Sequence, residues 1–391
     1  MRPAPGSAPP AATTLQDALF RSETADVRLS KRWGHGNALT FGVEAFHDDA
    51  PLRQWIGQDL TAGRGDHAGA VLNLRQARTS DYEAVFAENV FRLPHRIHIV
   101  PSVRLEHERI GVDETIRPAG LTRPLIDARA TRDTPLFGLG IGKDFGRDNE
   151  TYFSVSQGWR PLRFFDLASP FTNHQTRSTA DASRSLSWEA GVHGTPLRGL
   201  FYDASLFWVE VKNRVETQAL NTIDYVDVNT GDTRNRGFEG EIVYDVWAAR
   251  TDQLHLSAFS SLALLDARFV SSSLPGQAGR VPAYAPHVLA KAGLTWRRDK
   301  AWDVSLAAVS VGSQFFQDSD QPAGAGASFV PAKIPRYTLL DLSGDWRLTR
   351  RVRLLGGVRN LGDVRYYSQA LQTGLVPAAR RTVYAGLALG F

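Results

Sequence analysis

The densest group of side chains suited to ligand chemistry lies between residues 159 and 165. It combines three aromatic residues with two arginines: Trp159, Arg160, Arg163, Phe164 and Phe165. Arginine presents a planar fork of N–H donors to carboxylates, and aromatic rings offer a face on which planar groups stack. This cluster could therefore bind an anionic ligand that also carries planar groups. The alternative is that Trp159 belongs to a band of aromatic side chains at a membrane interface and that the arginines only solvate a loop.

Arrangements that could support catalysis or hold a metal are weaker. His95 and His98 are three residues apart at the start of a predicted strand, so they are expected on opposite faces and do not form a shared metal site. Asp48 and Asp49 open a predicted long loop, where a calcium site is an alternative. No set of Ser, His and Asp or Asn has a placement that recommends hydrolysis. Cys is absent, which excludes thiolate sites, and the sequence predicts no catalytic residue, no resident metal and no cofactor.

Composition restricts the class of protein. The 391 residues carry a formal net charge of +4, and the mean hydropathy is −0.26. Acidic and basic residues are interspersed, which does not favour nucleic-acid binding. No stretch approaches about eighteen apolar residues, the length that a transmembrane helix needs. A membrane β-barrel remains compatible with the hydropathy, because only every second residue of each strand must face lipid.

Alternation of apolar and polar residues recurs in long segments along the chain. Segments of about ten to fourteen residues are long enough for a tilted strand to cross a bilayer. In residues 199–211 the even positions are mostly apolar, whereas the odd positions include Asp203 and Ser205. Six further segments follow the same rule, with these residues on their apolar faces: Leu39, Phe41, Val43 and Ala45; Ile97, Ile99, Val103 and Leu105; Phe238, Ile242, Tyr244 and Val246; Val288, Ala290, Ala292, Leu294 and Trp296; Trp302, Val304, Leu306 and Ala308; Thr338, Leu340, Leu342 and Trp346. Strands of soluble sandwiches are shorter, about five or six residues, so the pattern favours an all-β protein, a transmembrane antiparallel β-barrel.

The final strand carries a further signal. Its apolar and small residues alternate up to the last position, and Tyr384, Gly386, Leu389 and Phe391 resemble the C-terminal signal that bacterial outer-membrane barrels present to their insertion machinery. The ordinary alternative is an amphipathic strand at the end of a soluble β protein.

Short and long connections alternate between the predicted strands. The short ones lie near residues 33–36, 93–95, 145–148, 196–198, 248–252, 298–300 and 348–350, and the long ones cover about 48–80, 109–133, 158–183, 213–233, 267–285, 316–334 and 361–379. Short periplasmic turns and long extracellular loops are typical of outer-membrane barrels. Counting through the connections gives about fifteen strands, or sixteen at most.

An odd strand number predicts that part of the barrel is missing, because single-chain bacterial barrels have even numbers of strands and both termini in the periplasm. Residues 1–24 are rich in proline near their start and contain no apolar segment of the kind found in signal peptides. We therefore expect an irregular segment over residues 1–24, a remnant of truncation, and a barrel over residues 25–391.

Several motifs in a fixed order add a family resemblance. Residues 157–161 (QGWRP), Trp188 with Glu189 and Gly191, residues 236–241 (RGFEGE), residues 360–367 (NLGDVRYY) and the terminal Phe391 together resemble the barrel of TonB-dependent outer-membrane receptors, in particular the siderophore and ferric citrate type. The resemblance covers about residues 25–391. One departure is Gly362, where the family commonly has an aromatic residue.

The resemblance implies a receptor and transporter rather than an enzyme. It implies a 22-stranded barrel in the outer membrane of a Gram-negative bacterium, closed by an N-terminal plug, that takes up a ferric siderophore or similar iron chelate when TonB acts on the plug. Neither the plug nor the first strands are recognisable in this sequence. The implied partners are a ferric chelate, the TonB complex through the missing plug, outer-membrane lipid and the barrel-assembly machinery, with no nucleic acid.

Two other functions stay open at this stage. A passive porin of about sixteen strands would conduct small solutes and should have one loop folded inward, with acidic residues opposite a basic wall. A barrel hydrolase comes third. The long predicted loops favour the receptor over both.

Overall fold

The structure is a computed structural model that describes residues 13–57, 70–169, 182–219, 225–248, 253–273, 275–323, 329–371 and 374–390. About 73% of the chain is strand and 2% is helix. The predicted all-β class is therefore confirmed. None of the described helices has the length and the apolar character needed to cross a membrane.

Within the described ranges, twenty-one strands and two short helical segments follow one another. The strands are β1 (Thr13–Ala18), β2 (Arg21–Trp33), β3 (Asn37–Asp49), β4 (Leu52–Gly57), β5 (Val71–Leu93), β6 (Ile97–Ile116), β7 (Asp127–Phe145), β8 (Asn149–Arg160), β9 (Ser183–Leu197), β10 (Leu200–Ala219), β11 (Tyr225–Asp245), β12 (Leu254–Ser272), β13 (Val288–Arg298), β14 (Trp302–Val311), β15 (Gln314–Phe315), β16 (Lys333–Ile334), β17 (Tyr337–Arg347), β18 (Val352–Arg359), β19 (Tyr367–Leu371), β20 (Gly374–Pro377) and β21 (Thr382–Leu389). A 3₁₀ turn spans Pro94–Arg96, and helix α1 spans Phe164–Leu167.

The main sheet is an antiparallel meander. From β5 to β14 each strand pairs with the next along the chain, and the sheet continues through β17, β18 and β21. At the other side of the sheet, β3 and β4 both pair with β5, so together they form one row. The next row consists of β2, which pairs with β3, and β1, which pairs with β4. The resulting fifteen rows agree with the predicted count. Closure of the sheet is not seen in the part of the chain that the structure describes.

The two faces of the sheet differ in polarity as the alternation predicts. On β6, Val103 and Leu105 have 37% and 50% of their surface exposed, whereas Arg104 and Glu106 lie on the opposite face. Val85 on the neighbouring strand is 50% exposed on the same side as Leu105, its partner in register. In a membrane barrel the apolar face meets lipid and the polar face lines the lumen. We call them the outer and the inner face.

At the long-loop end, the strands extend further than the sequence predicts. The predicted loop over 48–80 is shortened to the connection between Gly57 and Val71, and the strands β6, β7, β10 and β11 shorten the loops predicted over 109–133 and 213–233 in the same way. These extensions carry polar residues on both faces, as Arg75 and Gln76 do, so no apolar alternation marks them.

The first residues also differ from the irregular segment expected over 1–24. Residues 13–18 and 21–33 are strands, because their backbones pair with β4 and β3. Residues 1–12 lie outside the described part of the chain.

Buried apolar side chains collect at the long-loop end. One cluster joins β6 and β7 to the segment after β8, and another joins the connections around β15, β16, β19 and β20 through Phe316, Val330, Ile334 and Ala370. The middle of the sheet buries little apolar surface because its apolar face points outward. The sheet therefore acts as a frame that holds ordered loop segments at one end.

Candidate ligand-binding site

Segment 161–169 folds back against the inner face of β6 and β7. Its residues Leu162, Leu167 and Ala168 are at most 6% exposed and pack against an apolar cluster that includes Ile110 and Val112. Burial of these side chains stabilises the segment in this position. The predicted cluster of residues 159–165 is thereby held on the inner face, near the long-loop end.

Arg160 and Arg163 both pair with Asp166. The Nη1 of Arg160 lies 2.8 Å from Oδ2, and the Nη2 of Arg163 lies 3.0 Å from Oδ1. Burial alone would raise the pKa of Asp166, but the hydrogen bonds from Arg163 and Arg160 hold it below its ordinary value. Two guanidinium groups thus share one carboxylate, and the cluster keeps positive charge for an anionic ligand.

Trp159 points into the lumen. Its indole Nε1 donates to the carboxylate of Glu106, which also accepts from Arg104. Arg104 in turn donates to Glu44 and Tyr82, at 2.7 Å in each case. This polar chain crosses β8, β6, β5 and β3. The alternative that places Trp159 in an aromatic band facing lipid is therefore wrong.

Phe164 and Phe165 lie beside Arg78, a residue that the sequence analysis missed. The guanidinium carbon of Arg78 is 5.8 Å from the ring centroid of Phe164 and 5.2 Å from that of Phe165, within cation–π range. Arg78 is buried and donates to Oε1 of Gln76 at 2.6 and 2.9 Å. Phe165 keeps 43% of its surface exposed, so it can still offer a stacking face to a ligand.

A cavity of about 470 Å³ lies next to this cluster. Trp159 and Arg160 form one side of it, and Arg214, Thr233 and Asn235 contribute to the rest. The Nη2 of Arg160 is buried and has no hydrogen-bond partner among the described residues. An unpaired buried donor costs free energy, so an acceptor on a ligand would stabilise it. The volume lies within the range of about 300–1,000 Å³ that small-molecule sites occupy.

Closer to the short turns, the inner face is acidic. Glu239 and Glu241 of the RGFEGE motif line a second cavity, of about 500 Å³, together with Glu189 and Asp203 from neighbouring strands. The hydroxyl of Tyr152 donates to Glu189 at 2.6 Å. A partner inside the lumen would meet negative charge at this level.

The acidic pair considered for calcium does not converge. Asp48 and Asp49 both lie inside β3, on opposite faces, and not in a loop. Asp48 accepts a hydrogen bond from Ser22 at 2.8 Å, and Asp49 lies 3.6 Å from Arg21. The calcium alternative is therefore wrong at this position. Over the described residues, no group of three or more His, Asp or Glu could hold a metal ion.

The residues of the C-terminal signal fall on both faces of β21. Tyr384 and Gly386 point inward and Leu389, which is 56% exposed, points outward. The Tyr384 ring lies over Gly357, where an added Cβ would come within 2.6 Å of the tyrosine hydroxyl. Phe391 lies outside the described residues. The role of this strand as an assembly signal stays a prediction.

Comparison with protein families gives one match that covers most of the chain. The family model described as TonB dependent receptor-like, beta-barrel, matches residues 4–361. No curated protein matches the chain.

Solved structures agree on the architecture. The ferric citrate transporter FecA superposes with a TM-score of 0.76 at 16% identity, over 97% of this chain and 56% of its own. The ferric yersiniabactin uptake receptor FyuA from Yersinia pestis gives 0.75 at 19%, over 98% and 56%. The copper transporter OprC gives 0.77 at 18%, over 100% and 59%. The chain thus spans a little more than half the length of these structures, and identities this low show the fold alone.

Proposed function

We propose, since this chain belongs to the TonB-dependent receptor-like β-barrel family, that it binds a ferric siderophore or a similar iron chelate in the Arg160 cavity and serves its uptake across the outer membrane of a Gram-negative bacterium. The family is one of receptors and transporters, not of enzymes. The observation that carries the proposal is the buried Nη2 of Arg160, which has no partner in the described structure and borders a cavity of small-molecule size.

The chemistry of a ferric chelate suits this cavity. Carboxylate and catecholate oxygens accept hydrogen bonds from a guanidinium fork, and charge-assisted bonds of this kind are short and strong. Arg160 supplies such a fork, and the Trp159 indole beside it supplies an apolar surface for the organic part of a chelate. Arg214 adds a second guanidinium to the same wall, 3.2 Å from Asp318 of a later connection.

Transport would require partners beyond the ligand. We include among them a plug domain within the lumen and the TonB complex that acts on it, with outer-membrane lipid around the barrel and the assembly machinery reading β21. The acidic wall around Glu239 and Glu241 supports a lumenal partner, because these carboxylates would favour a basic surface opposite them.

A binding experiment tests the proposal. The full chain, refolded in detergent micelles, would be titrated with ferric citrate, a ferric catecholate and a ferric hydroxamate while tryptophan fluorescence is recorded, with the iron-free chelators as controls. We expect saturable quenching by at least one ferric chelate. Arg160→Gln should weaken it by about tenfold or more, since a hydrogen bond to a charged group contributes about 1.5–3 kcal/mol.

The matched control is Arg365→Gln, which removes the same charge from an exposed position in another connection. It should leave the affinity unchanged. Saturable binding by none of the three chelates, or equal affinity of the wild type and Arg160→Gln, would contradict the proposal.

A passive channel is the second candidate, and one observation favours it. Segment 161–169 folds inward, as the constriction loop of a porin does. Its acidic residue, however, is paired with Arg160 and Arg163 of the same segment instead of facing a basic wall. Swelling of proteoliposomes in a neutral sugar tests the channel, because a rate equal to that of protein-free vesicles would exclude it.

A further inference from the structure

A groove runs across the outer face of β17 and β18 because two glycines meet there. Gly344 and Gly356 lie directly opposite each other in the register, on the face that points away from the lumen. Trp346 and Leu354, which pair with each other, rise next to the two glycines on the side of the short turn, and the groove of about 600 Å³ continues to Ala385 on β21. Its lining is mostly apolar, although it includes Asp303 and Asp345, and its position on the outer face suits a hydrocarbon chain lying against the protein.

Three tryptophans close the end of this groove nearest the short turns. The rings of Trp296 and Trp302 meet edge to face with 5.0 Å between centroids, and Trp302 lies opposite Trp346 in the register. Trp296 and Trp346 remain 49% and 58% exposed. Tryptophan favours the level of lipid headgroups, and short turns mark the periplasmic side. The groove therefore ends at the headgroup level of the periplasmic leaflet.

Basic residues occupy the two turns directly beyond these tryptophans. Arg298 is the last residue of β13 and Lys300 lies in the turn that follows it, while Arg350 and Arg351 belong to the turn between β17 and β18. All four are exposed, and none of them forms an ion pair with another described residue. A cluster of free cations next to an apolar groove is complementary to one kind of molecule, an amphiphile with an acidic headgroup.

We propose that this surface binds an anionic glycerophospholipid of the periplasmic leaflet. One acyl chain lies in the glycine-floored groove, the glycerol backbone lies at the level of the tryptophans, and the phosphate is held by the guanidinium and ammonium groups of the two turns. The inference does not depend on iron uptake, because it concerns the outer face of the sheet and none of the residues around Arg160.

Quenching by brominated lipids measures this preference directly. The full chain would be reconstituted in phosphatidylcholine vesicles that contain equal fractions of either dibrominated phosphatidylglycerol or dibrominated phosphatidylcholine, and the tryptophan fluorescence compared. Each basic side chain near a membrane contributes roughly a fivefold preference for anionic lipid. We expect the phosphatidylglycerol to associate at least about fivefold more strongly than phosphatidylcholine.

Variants test separately how the headgroup and the acyl chain contribute to binding. The double variant Arg350→Gln with Arg351→Gln should lower the preference by at least about fivefold, while Arg298 and Lys300 retain the remainder. The double variant Arg147→Gln with Arg198→Gln removes the same charge from two other exposed short turns and should retain the wild-type preference. Ala385→Phe, which fills the groove from an exposed position opposite Gly356, should lower the preference without altering any charge.

Three results would overturn the proposal. Equal quenching by both lipids would mean ordinary lipid contact. Equal loss in both double variants would mean that the general charge of the periplasmic rim attracts the lipid. An unchanged preference in Ala385→Phe would exclude the groove as the seat of the acyl chain. A folding check by the mobility shift of unheated and heated samples in SDS gels accompanies each variant.

Discussion

Arg123 and Glu114 form an ion pair that is almost fully shielded from water. Their side chains are 2% and 0% exposed, and the two guanidinium nitrogens lie 2.5 and 2.9 Å from the two carboxylate oxygens. Glu114 belongs to β6, and Arg123 lies in the connection to β7. Gln76 and the backbone of Ile126 also donate to Glu114, at 3.1 and 3.3 Å. This carboxylate therefore ties the tip of one hairpin to the strand beside it.

Replacing Arg123 alone should loosen that tip. Arg123→Met leaves the Glu114 carboxylate buried without a cation, and breaking one partner of a buried pair costs about 3–5 kcal/mol. We expect hydrogen exchange of the amides in residues 117–126 to accelerate by at least about a hundredfold, as a cost of this size implies. Exchange followed by mass spectrometry measures it.

Two comparisons test the physical reason. Adding Glu114→Leu to Arg123→Met should restore much of the protection, because an apolar pair often replaces a buried ion pair without loss. Arg129→Gln breaks an exposed pair with Asp127, at 3.6 Å and 75% and 68% exposure, and should cost no more than about 1 kcal/mol. Exchange in Arg123→Met equal to that of the wild type would refute the account.

Asn360 should prove the stabilising residue of the NLGDVRYY motif. It is buried, its Nδ2 donates to the carbonyl of Val364 at 2.9 Å, and its Oδ1 accepts from the Val364 amide at 2.8 Å. Its φ of 52° lies in the left-handed region, which asparagine tolerates better than most residues. Asn360→Ala should destabilise the connection from β18 to β21 by about 1–3 kcal/mol, seen as faster exchange of the Val364 amide.

Asp363 of the same motif provides the control. The hydrogen bonds from Arg380 and from the Arg381 backbone lower the pKa of Asp363 to about 2, but the side chain lies at the surface. Water screens such exposed pairs strongly. Asp363→Asn should therefore change the exchange of Val364 far less than Asn360→Ala. The reverse order would show that charge, not the asparagine side chain, fixes this connection.

The outer face could be predicted from the sequence because lipid imposes a simple rule on it. Wherever a strand crosses the bilayer, as at Val103 and Leu105, every second residue must be apolar, and the structure exposes those residues. Beyond the bilayer this rule no longer applies. The ends of β5 and β6 that lie nearest the long loops meet water or polar loops on both faces. In these parts the sequence predicts loops, whereas the structure has strands.

The candidate site was predictable only in part for the same reason. The run from Trp159 to Phe165 stands out as a local cluster, but its partners come from distant strands. Arg78 and Glu106 contact it through the register of β5, β6 and β8, which local composition does not reveal. The predicted loop over 48–80 hides this relationship. A strand predicted to begin before residue 80 would place Arg78 on the inner face together with Gln76, because the two residues are separated by two positions.

Gly42 should be intolerant of any side chain. A Cβ at this position would lie 2.6 Å from the Phe86 ring and 2.6 Å from the backbone oxygen of Val27. The ring can turn, but the backbone oxygen is fixed by the β2–β3 ladder. Gly42→Ala should therefore reduce the yield of folded protein, measured as the fraction that migrates as the compact form in unheated SDS gels.

Gly111 supplies the matched substitution. The nearest atoms to its added Cβ lie 3.6 Å away, which is ordinary contact. Since glycine inside a strand costs roughly 0.5–1 kcal/mol relative to alanine, Gly111→Ala should fold at least as well as the wild type. Equal yields for the two variants would show that β2 is not held against β3 as the structure describes.

The anchor of segment 161–169 should fail in acid. Burial raises the pKa of Asp166, yet the hydrogen bonds from Arg163 and Arg160 depress it below the ordinary 3.8. A carboxyl whose pKa is lower in the folded state stabilises that state above its unfolded pKa, and this stabilisation is lost as the pH falls through the folded value.

Pepsin, which is active in acid, should cut between Phe164 and Phe165 increasingly fast as the pH falls below about 3.8. Asp166→Asn should be cut fast both above and below about pH 3.8. The cleavage rate of an unfolded substrate at each pH corrects for the change in the activity of pepsin itself. A wild-type rate that rises no more than that of the unfolded substrate would mean that apolar burial of Leu162 and Leu167, and not the carboxylate, holds the segment.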